Sequence, residues 1–325
     1  MAAHQLFYTK KGKPVDVPAA LAPLADTHGH LTSFRKVDPS EAIARAALAG
    51  VRLLVVPVDP ADDVQDVPAF LSWFDAVVHR ARQLVEEAAA TGQMPPVFAG
   101  YEHVPDLVDN VHFIAGVHPY GAKRLMEDVS VRNRLLALLD SERCLGVGEF
   151  GVDFGPWNEL SADVQAEAFR VQLRYAHERS LPVELHLRDA DGDSCAAGHA
   201  LALRILKEEG VPAAGCDLHC YTSDAEVMAP FVELGCHIAF GGAATFAKSD
   251  DIRAAAAACP QELLLSETDS PYMAPVPLRG QECEPAMVAF TAARLAEVRE
   301  EAGIAARSAT YAALWNNANA FFGIG

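Results

Sequence analysis

Two histidines separated by a single residue follow a short apolar run in the sequence LADTHGHL, residues 24–31. Side chains two residues apart on an extended strand project to the same side, so His28 and His30 can point at one common atom. Neutral imidazoles paired in this way suit Zn, Mn, Fe or Ni better than they suit Ca. Such a pair also occurs without any metal role, so the chemistry depends on whether further ligands follow other strands.

Polar residues end four further apolar runs. They are Glu149 after LGVG, His186 after PVEL, His219 after CDL and Asp269 after LLLSET. A single histidine after a strand often donates to a backbone carbonyl, but six such residues at predicted strand ends favour one shared site. Four imidazoles and two carboxylates are enough to hold two divalent ions, with one carboxylate bridging them. The ligand types leave Zn, Mn and Mg open as the metal.

A regular alternation of apolar runs and helical patterns positions these residues. The strands are predicted at 24–27, 51–58, 111–117, 144–149, 182–186, 214–219, 236–240 and 263–267, and the helices between and after them at 39–49, 66–85, 123–140, 160–180, 195–209, 224–234, 249–258, 284–302 and 307–322. Strands and helices alternating in this way are typical of parallel βαβ units. The predicted fold class is α/β, a (β/α)8 TIM barrel, in which the carboxyl ends of all strands meet at one face. An open doubly wound sheet is the alternative.

Two segments fall outside the regular alternation. Residues 1–23 are predicted to be an N-terminal extension with at most one short hairpin, leaving 24–325 as a single barrel. Residues 59–110 are predicted to be an acidic, partly helical insertion after the second barrel strand. This insertion has ten acidic residues and two arginines, and thus carries −8 of the net charge of −18. It is interpreted either as an amphipathic helix packed on the barrel or as a lid that limits which substrates reach the site.

Composition and charge exclude several classes of protein. A chain with a net charge of −18 is unsuited to coating a long duplex, because that binding depends on Lys and Arg that displace counterions. No run approaches the ~18 apolar residues of a membrane helix, and the N-terminus lacks the apolar core of a signal peptide. Seven scattered cysteines without CxxC spacing are interpreted as reduced thiols. We therefore predict a cytoplasmic protein with no membrane partner.

The motifs, taken together, resemble those of the TatD family of metal-dependent deoxyribonucleases, within the amidohydrolase-like barrels. The matching motifs are DTHGHL (26–31), GVHP (116–119), GVGEFGVDF (146–154), HLRDA (186–190), HCY (219–221), ETDSPY (267–272), RGQECEP (279–285) and NANAFFG (317–323). They occur in the family's order from residue 26 to the C-terminus. The resemblance implies a hydrolase in which metal-activated water attacks a phosphodiester, releasing nucleotides from DNA ends or short single-stranded DNA.

The resemblance also implies a ligand set of two divalent metal ions. One ion would be held by His28, His30, Glu149 and Asp269, and the second by Glu149, His186 and His219. Glu149 and Asp269 would be the catalytic carboxylates. Asp269 is both a ligand and a hydrogen-bond acceptor, so it is the best candidate to orient the water and take its proton.

Four further residues are predicted to assist. Arg188 lies two residues beyond His186 and can hold a phosphate oxygen bidentately, or form a structural salt bridge. His118, beside Pro119, is a candidate substrate contact. Asp26 and Glu267 are predicted to support the ligands from behind, or to be ordinary hydrogen-bonding residues at strand ends.

Two apparent motifs are set aside. The GxGxxG pattern at 146–151 must open a helix to bind a dinucleotide, and VDFGP after it does not start one promptly. Cys220 is expected to point away from the face of His219 and to belong to the core.

Departures from the family pattern leave the substrate open. They are the acidic segment 59–110, Tyr221-Thr222-Ser223 in place of Phe-Ser-Gly, and Cys283 in place of Asn. One alternative is a hydrolase of a small amide, lactone or phosphoester on the same barrel. Another is a non-catalytic metal-binding scaffold, although the complete ligand set argues against it.

Overall fold

A computed structural model describes residues 5–324; the first four residues of the predicted extension and Gly325 lie outside it. The strands are β1 (Phe7–Tyr8), β2 (Pro14–Val15), β3 (Leu24–Asp26), β4 (Val51–Val58), β5 (Val111–Ala115), β6 (Cys144–Asp153), β7 (Val183–Arg188), β8 (Cys216–Leu218), β9 (His237–Phe240) and β10 (Leu264–Ser266). β1 and β2 pair antiparallel as the short hairpin expected in the extension. β3 to β10 pair in sequence order as one eight-stranded sheet, and every pairing is parallel.

The sheet curves round so that the chain beyond β10 meets the chain beyond β3. The Thr27 N–H donates to the Ser266 carbonyl at 3.2 Å, and the Asp269 N–H donates to the His28 carbonyl at 2.9 Å. A parallel bridge joins Gly29 and Ser270. The predicted (β/α)8 barrel is therefore confirmed. Its closing seam brings the two histidines of the HxH pair beside Asp269, although these residues are far apart in sequence.

Among residues 5–324, ten α-helices connect the strands and follow the last one. They are α1 (Pro39–Ala49), α2 (Val67–Ala90), α3 (Ala122–Glu127), α4 (Val129–Leu139), α5 (Ala162–Arg179), α6 (Ala197–Glu209), α7 (Ala225–Glu233), α8 (Asp250–Ala258), α9 (Val288–Glu301) and α10 (Arg307–Phe322). The single helix predicted at 123–140 is wrong, because the Asp128 carboxylate accepts from the Ser130 N–H and begins a second helix there. Within residues 5–324, no helix combines the length and apolar character that crossing a bilayer requires.

β6 extends four residues beyond its predicted end at Glu149. Its register against β7 shifts between Val147 and Phe150, and the strand then continues to Asp153. A glycine makes this possible: Gly151 has φ +154, and a Cβ there would lie 2.1 Å from the His186 carbonyl oxygen. Glu149 therefore projects from within a strand, not from its end. The 146–151 glycine pattern lies inside β6 and opens no helix.

The acidic segment supplies the helix that connects β4 to β5. Asp66 caps α2 by accepting from the Ala69 N–H at 2.8 Å, and the helix buries an apolar face that includes Phe70 and Phe74. Both rings contact Phe113 of β5 edge-on. The helix thus packs on the barrel, as the amphipathic interpretation expects. Whether 59–110 is an insertion stays a prediction.

Candidate metal centre

One set of donor atoms converges at the seam of the barrel. The Nε2 atoms of His28 and His30 lie 3.2 Å apart. Glu149 Oε2 is 3.7 Å from the first and 3.8 Å from the second. Asp269 Oδ1 lies at 3.8 Å and 3.7 Å from the same two nitrogens. Two imidazole nitrogens and two carboxylate oxygens therefore face one point.

A second set lies on the other oxygen of Glu149. Its Oε1 is 2.6 Å from His186 Nδ1 and 2.9 Å from His219 Nε2. The two imidazole nitrogens are 3.4 Å apart. The barrel thus brings all six predicted ligands together, and Glu149 contributes one oxygen to each set.

The protonation of the first donor set suits metal ligation. Burial lowers the pKa of His28 and of His30 to about 3, so both rings are neutral near pH 7 and keep a lone pair. Burial acts to raise the pKa of Glu149, but His219 and His118 hold it well below its usual range. Burial raises the pKa of Asp269 to about 8, and an adjacent cation would lower it. Neutral imidazoles with an anionic carboxylate are a donor set that fits Zn or Mn.

The imidazoles of the second set, by contrast, need the ions themselves in order to be neutral. Burial acts to lower the pKa of His219 and of His186, but Glu149 holds the first well above its usual range, and Asp153 and Glu149 raise the second. Adjacent cations would favour the neutral form of both rings.

Carboxylates lie behind three of the imidazoles, on the side away from the converging donors. Glu184 Oε1 is 2.6 Å from His28 Nδ1, and Asp153 Oδ2 is 3.0 Å from His186 Nε2. Glu267 Oε1 is 3.7 Å from His219 Nδ1. Sequence reasoning named Glu267 and missed the other two. Alternation along a strand could have identified both, because side chains an even number of residues apart share one face. Glu184 precedes His186 by two residues, and Asp153 follows Glu149 by four on the same strand.

Asp26 supports the seam and contacts no ligand ring. Its carboxylate accepts from the Thr268 N–H at 2.8 Å and from the Thr268 hydroxyl at 2.7 Å. Thr268 directly precedes Asp269, so Asp26 holds the turn that carries this predicted ligand. Glu267 is fully buried and accepts from the Cys220 N–H at 2.6 Å. Both residues therefore act through other residues.

The expectation that Cys220 belongs to the core is wrong. Its Sγ lies 3.6 Å from Asp269 Oδ2, and the side chain lines the cleft above the donor atoms. The reason is local: β8 ends at Leu218, and Cys220 adopts a left-handed conformation with φ +46. Strand alternation no longer holds there, so Cys220 turns to the same side as His219.

The two predicted substrate contacts lie at different depths. His118 Nε2 is 3.7 Å from Glu149 Oε1, and its ring packs on His186 at 4.4 Å between centroids. It is therefore as close to the second donor set as a further ligand would be. Arg188 lies on the cleft wall with its side chain 40% exposed, and its Nη2 is 3.5 Å from Asp191. The contact of Arg188 with a phosphate stays a prediction.

The cleft has two lobes on either side of Glu149 and His30. The arginine lobe, about 470 Å³, is lined by Arg188, Cys220, Thr222 and Tyr272. The acidic lobe, about 200 Å³, is lined by Asp59, Asp62, Asp63, His118 and Tyr120. Sequence reasoning treated Asp59 only as part of the acidic segment. It directly follows β4, so the rule that identified the ligands would also have identified it.

Asp59 makes the stability of the metal-free protein depend on pH. Burial raises the pKa of Asp59 to about 7, although the N–H groups of Ala61 and His118 donate to it. A carboxyl whose folded pKa lies above the unfolded value of 3.8 stabilises the fold below that pH. The stabilisation is lost as the pH rises towards 7. The free energy of unfolding of the wild-type protein should therefore fall between pH 4 and pH 7. In Asp59→Asn we expect this fall to be smaller than in wild type, by up to about 4 kcal/mol.

Urea unfolding of chelator-treated protein at the two pH values measures this difference. Asp62→Asn is the control, because Asp62 lies in the same segment but is exposed and pairs with Arg124 on the surface. Equal pH dependence in wild type and Asp59→Asn would contradict the assignment.

The chain is similar to known proteins over nearly its whole length. A family model described as TatD related DNase matches residues 25–323. The uncharacterized metal-dependent hydrolase YabD of Bacillus subtilis is 30% identical over 279 residues, 85% of this chain and 91% of that protein. The 3'-5' ssDNA/RNA exonuclease TatD of Citrobacter koseri is 32% identical over 192 residues, 58% of this chain and 70% of that protein. The crystal structure of YjjV, a TatD homolog from Escherichia coli K12, covers 94% of this chain and 100% of its own, with TM-score 0.68 and 25% identity.

Proposed function

Because the chain belongs to the TatD-related DNase family and is a metal-dependent hydrolase, we propose that it is a deoxyribonuclease. It would release nucleotides from the ends of short single-stranded DNA and would use two divalent ions. The observation that carries the proposal is the position of Glu149, whose two carboxylate oxygens each face a separate set of imidazole nitrogens. The name of the Citrobacter koseri relative, an ssDNA/RNA exonuclease, supports this choice of substrate.

Divalent ions bound here would act as Lewis acids and lower the pKa of a coordinated water towards ~7. His28, His30, Glu149 and Asp269 would hold one ion, and Glu149, His186 and His219 the other. Asp269 would also accept the proton that the attacking water gives up. Its side chain is 15% exposed, so it reaches the cleft while remaining in a water-poor environment that favours proton transfer.

The walls of the cleft offer contacts for a nucleotide on both sides of the donor atoms. Arg188 is the cationic side chain that lines the arginine lobe, and a guanidinium can grip a phosphate through two parallel hydrogen bonds. The rings of Tyr120 and Tyr272 are 43% and 55% exposed and stand in different lobes, where they can stack on bases. An end of a single strand, with its bases unstacked, fits these contacts better than a duplex does.

Removing the guanidinium should weaken substrate binding more than it weakens the chemistry. In Arg188→Ala we expect KM for a short oligonucleotide to rise about 10- to 100-fold, as the loss of a charge-assisted pair implies, with a smaller fall in kcat. Steady-state kinetics at fixed ionic strength would measure both. Arg204→Ala, an exposed arginine on α6, is the matched control and should behave as wild type. An unchanged KM in Arg188→Ala would contradict the phosphate contact and favour a structural salt bridge as the role of Arg188.

A second candidate function is hydrolysis of a small amide, lactone or phosphoester. The acidic lobe favours it, because Asp59, Asp62 and Asp63 would repel the phosphates of a long strand lying in that direction. The same repulsion is compatible with a nuclease that holds only the end of a strand. The third candidate, a non-catalytic metal-binding scaffold, has no observation in its favour.

A panel of substrates separates these candidates. Metal-loaded protein would be assayed with a short single-stranded oligonucleotide, a chromogenic phosphodiester, a lactone and a dipeptide. The proposal expects release of nucleotides from the oligonucleotide with higher kcat/KM than for the other three substrates. Turnover of the lactone, the dipeptide or the small phosphodiester without turnover of the oligonucleotide would overturn it in favour of the second candidate.

A further inference from the structure

A buried glutamate lies below the donor atoms, on the side away from the cleft. Glu184 lies on β7, two residues before His186, and its side chain points into the barrel interior. Its Oε1 is 2.6 Å from His28 Nδ1, and both side chains are at most 1% exposed. We infer that Glu184 is a positioning residue: it accepts the Nδ1 proton of His28 and so fixes the ring with its Nε2 lone pair on the metal side. The inference rests on the proposed ligation of a metal by His28.

The geometry of His28 leaves only one productive tautomer. Its Nε2 faces His30, Glu149 and Asp269 at 3.2 to 3.8 Å, so this nitrogen must be free of a proton to act as a ligand. A neutral imidazole then carries its proton on Nδ1, and a buried N–H needs an acceptor. Glu184 Oε1 is placed to be that acceptor. A carboxylate behind a ligating histidine also raises the basicity of the ring.

Glu184 is held for this contact by its surroundings. Its second oxygen, Oε2, has no hydrogen-bond partner among the described residues, so within that part of the chain His28 is the one hydrogen-bond partner of this carboxyl group. The neighbouring strand supplies the space: a Cβ at Gly148 of β6 would lie 2.8 Å from the Cβ of Glu184. A larger residue at 148 would therefore displace the carboxylate.

The neighbouring ring shows the same arrangement in a looser form. His219 stacks on His28, with centroids 4.0 Å apart and planes 14° apart. Its Nδ1 faces Glu267 at 3.7 Å, just as His28 Nδ1 faces Glu184 at 2.6 Å. Two stacked imidazoles thus present one nitrogen each to the cleft and one each to a carboxylate below. The contact of Glu184 is within hydrogen-bond distance, whereas His219 Nδ1 has no hydrogen-bond partner among the described residues.

Metal binding tests the inference without any substrate. Stripped protein would be titrated with Co²⁺ and with Zn²⁺ in competition with a chromogenic chelator. Compared with wild type, we expect Glu184→Ala to bind the first ion about 10- to 100-fold more weakly. Glu184→Gln should lose less, because its amide oxygen can still accept from Nδ1–H. Asp217→Asn is the matched control: Asp217 is the register partner of Glu184 on β8 and is equally buried, and its carboxyl group has no hydrogen bond to His28 or to any other described residue.

The tautomer of His28 gives a second test, because a purely structural role of Glu184 would leave the position of the ring proton unchanged. The tautomer would be measured in ¹⁵N spectra of metal-free protein, where the His28 signal is assigned by its loss in His28→Gln. We expect the Nδ1–H form in wild type and in Glu184→Gln. Glu184→Ala should show a mixture of tautomers. If Glu184→Ala does not fold, retained folding with weakened Co²⁺ binding in Glu184→Gln would support the inference.

Wild-type affinity in Glu184→Ala or, should that variant not fold, loss of the Nδ1–H form of His28 in Glu184→Gln would overturn the inference. An equal loss in Asp217→Asn, or an unchanged His28 tautomer in Glu184→Ala, would overturn it as well. These outcomes are separate from the proposed nuclease activity. Protein that binds metal as expected but hydrolyses no DNA would refute the function and leave the role of Glu184 in place.

Discussion

Glu149→Gln is expected to lower kcat/KM by about 10³-fold or more and to weaken metal binding at both positions. Glu149 is the carboxylate with an oxygen facing each of the two donor sets. Glutamine keeps the shape but removes the negative charge that two adjacent cations need. Loss of several kcal/mol of charge stabilisation corresponds to a factor of this size, at ~1.4 kcal/mol for each tenfold change.

The measurement combines steady-state kinetics with the metal content of dialysed protein. Glu142→Gln is the control, because Glu142 is an exposed glutamate that precedes the start of β6, at the opposite end of this strand from its metal-facing part. It should keep both the wild-type rate and the wild-type metal content. A Glu149→Gln protein with two tightly held ions and a normal rate would rule out a bridging role.

Asp269→Asn is expected to lower kcat about 10²- to 10⁴-fold while most of the bound metal is retained. The amide oxygen can still face the cation, but it cannot take a proton from water. Burial raises the pKa of Asp269 to about 8, and a bound cation lowers it. The basic form is the active one, so the wild-type rate should rise with pH as Asp269 loses its proton. The variant should lose this limb of the pH–rate profile.

Rates measured across the pH range at saturating metal would test this second prediction. Asp251→Asn, which replaces an exposed acid in the first turn of α8, is the control for loss of one negative charge. If Asp269→Asn keeps the rising limb, another group takes the proton. If it loses metal as readily as it loses activity, its role is ligation alone.

The framework of this site could be predicted from local sequence, because each ligand is tied to an apolar run. The strand at 51–58 and the helix at 39–49 have the predicted bounds, since buried parallel strands and capped helices have strong local signals. The convergence of the ligands then follows from the barrel, which collects the carboxyl ends of its strands at one face.

The parts that sequence reasoning missed depend on backbone geometry and on contacts across the barrel. Cys220 enters the cleft because its backbone is left-handed, which alternation along a strand cannot anticipate. Asp26 was predicted to support the ligands, but its partner Thr268 lies 242 residues away, and only the closing of the barrel makes them neighbours. Glu184 and Asp59 are different, because the strand rules already applied would have identified them. They were missed because the strand rules were applied only to residues that end an apolar run, and the acidic segment was interpreted only as a packed helix or a lid.

The proposed nuclease activity would be tested by the release of nucleotides from a short single-stranded DNA. The protein would be stripped with a chelator and resupplied with Mg²⁺, Mn²⁺ or Zn²⁺, with His30→Ala treated in parallel. We expect no release from stripped protein, release when at least one of these ions is returned, and none from His30→Ala. No release with any ion, from protein shown to rebind its metal, would contradict the nuclease assignment and favour a small-substrate hydrolase.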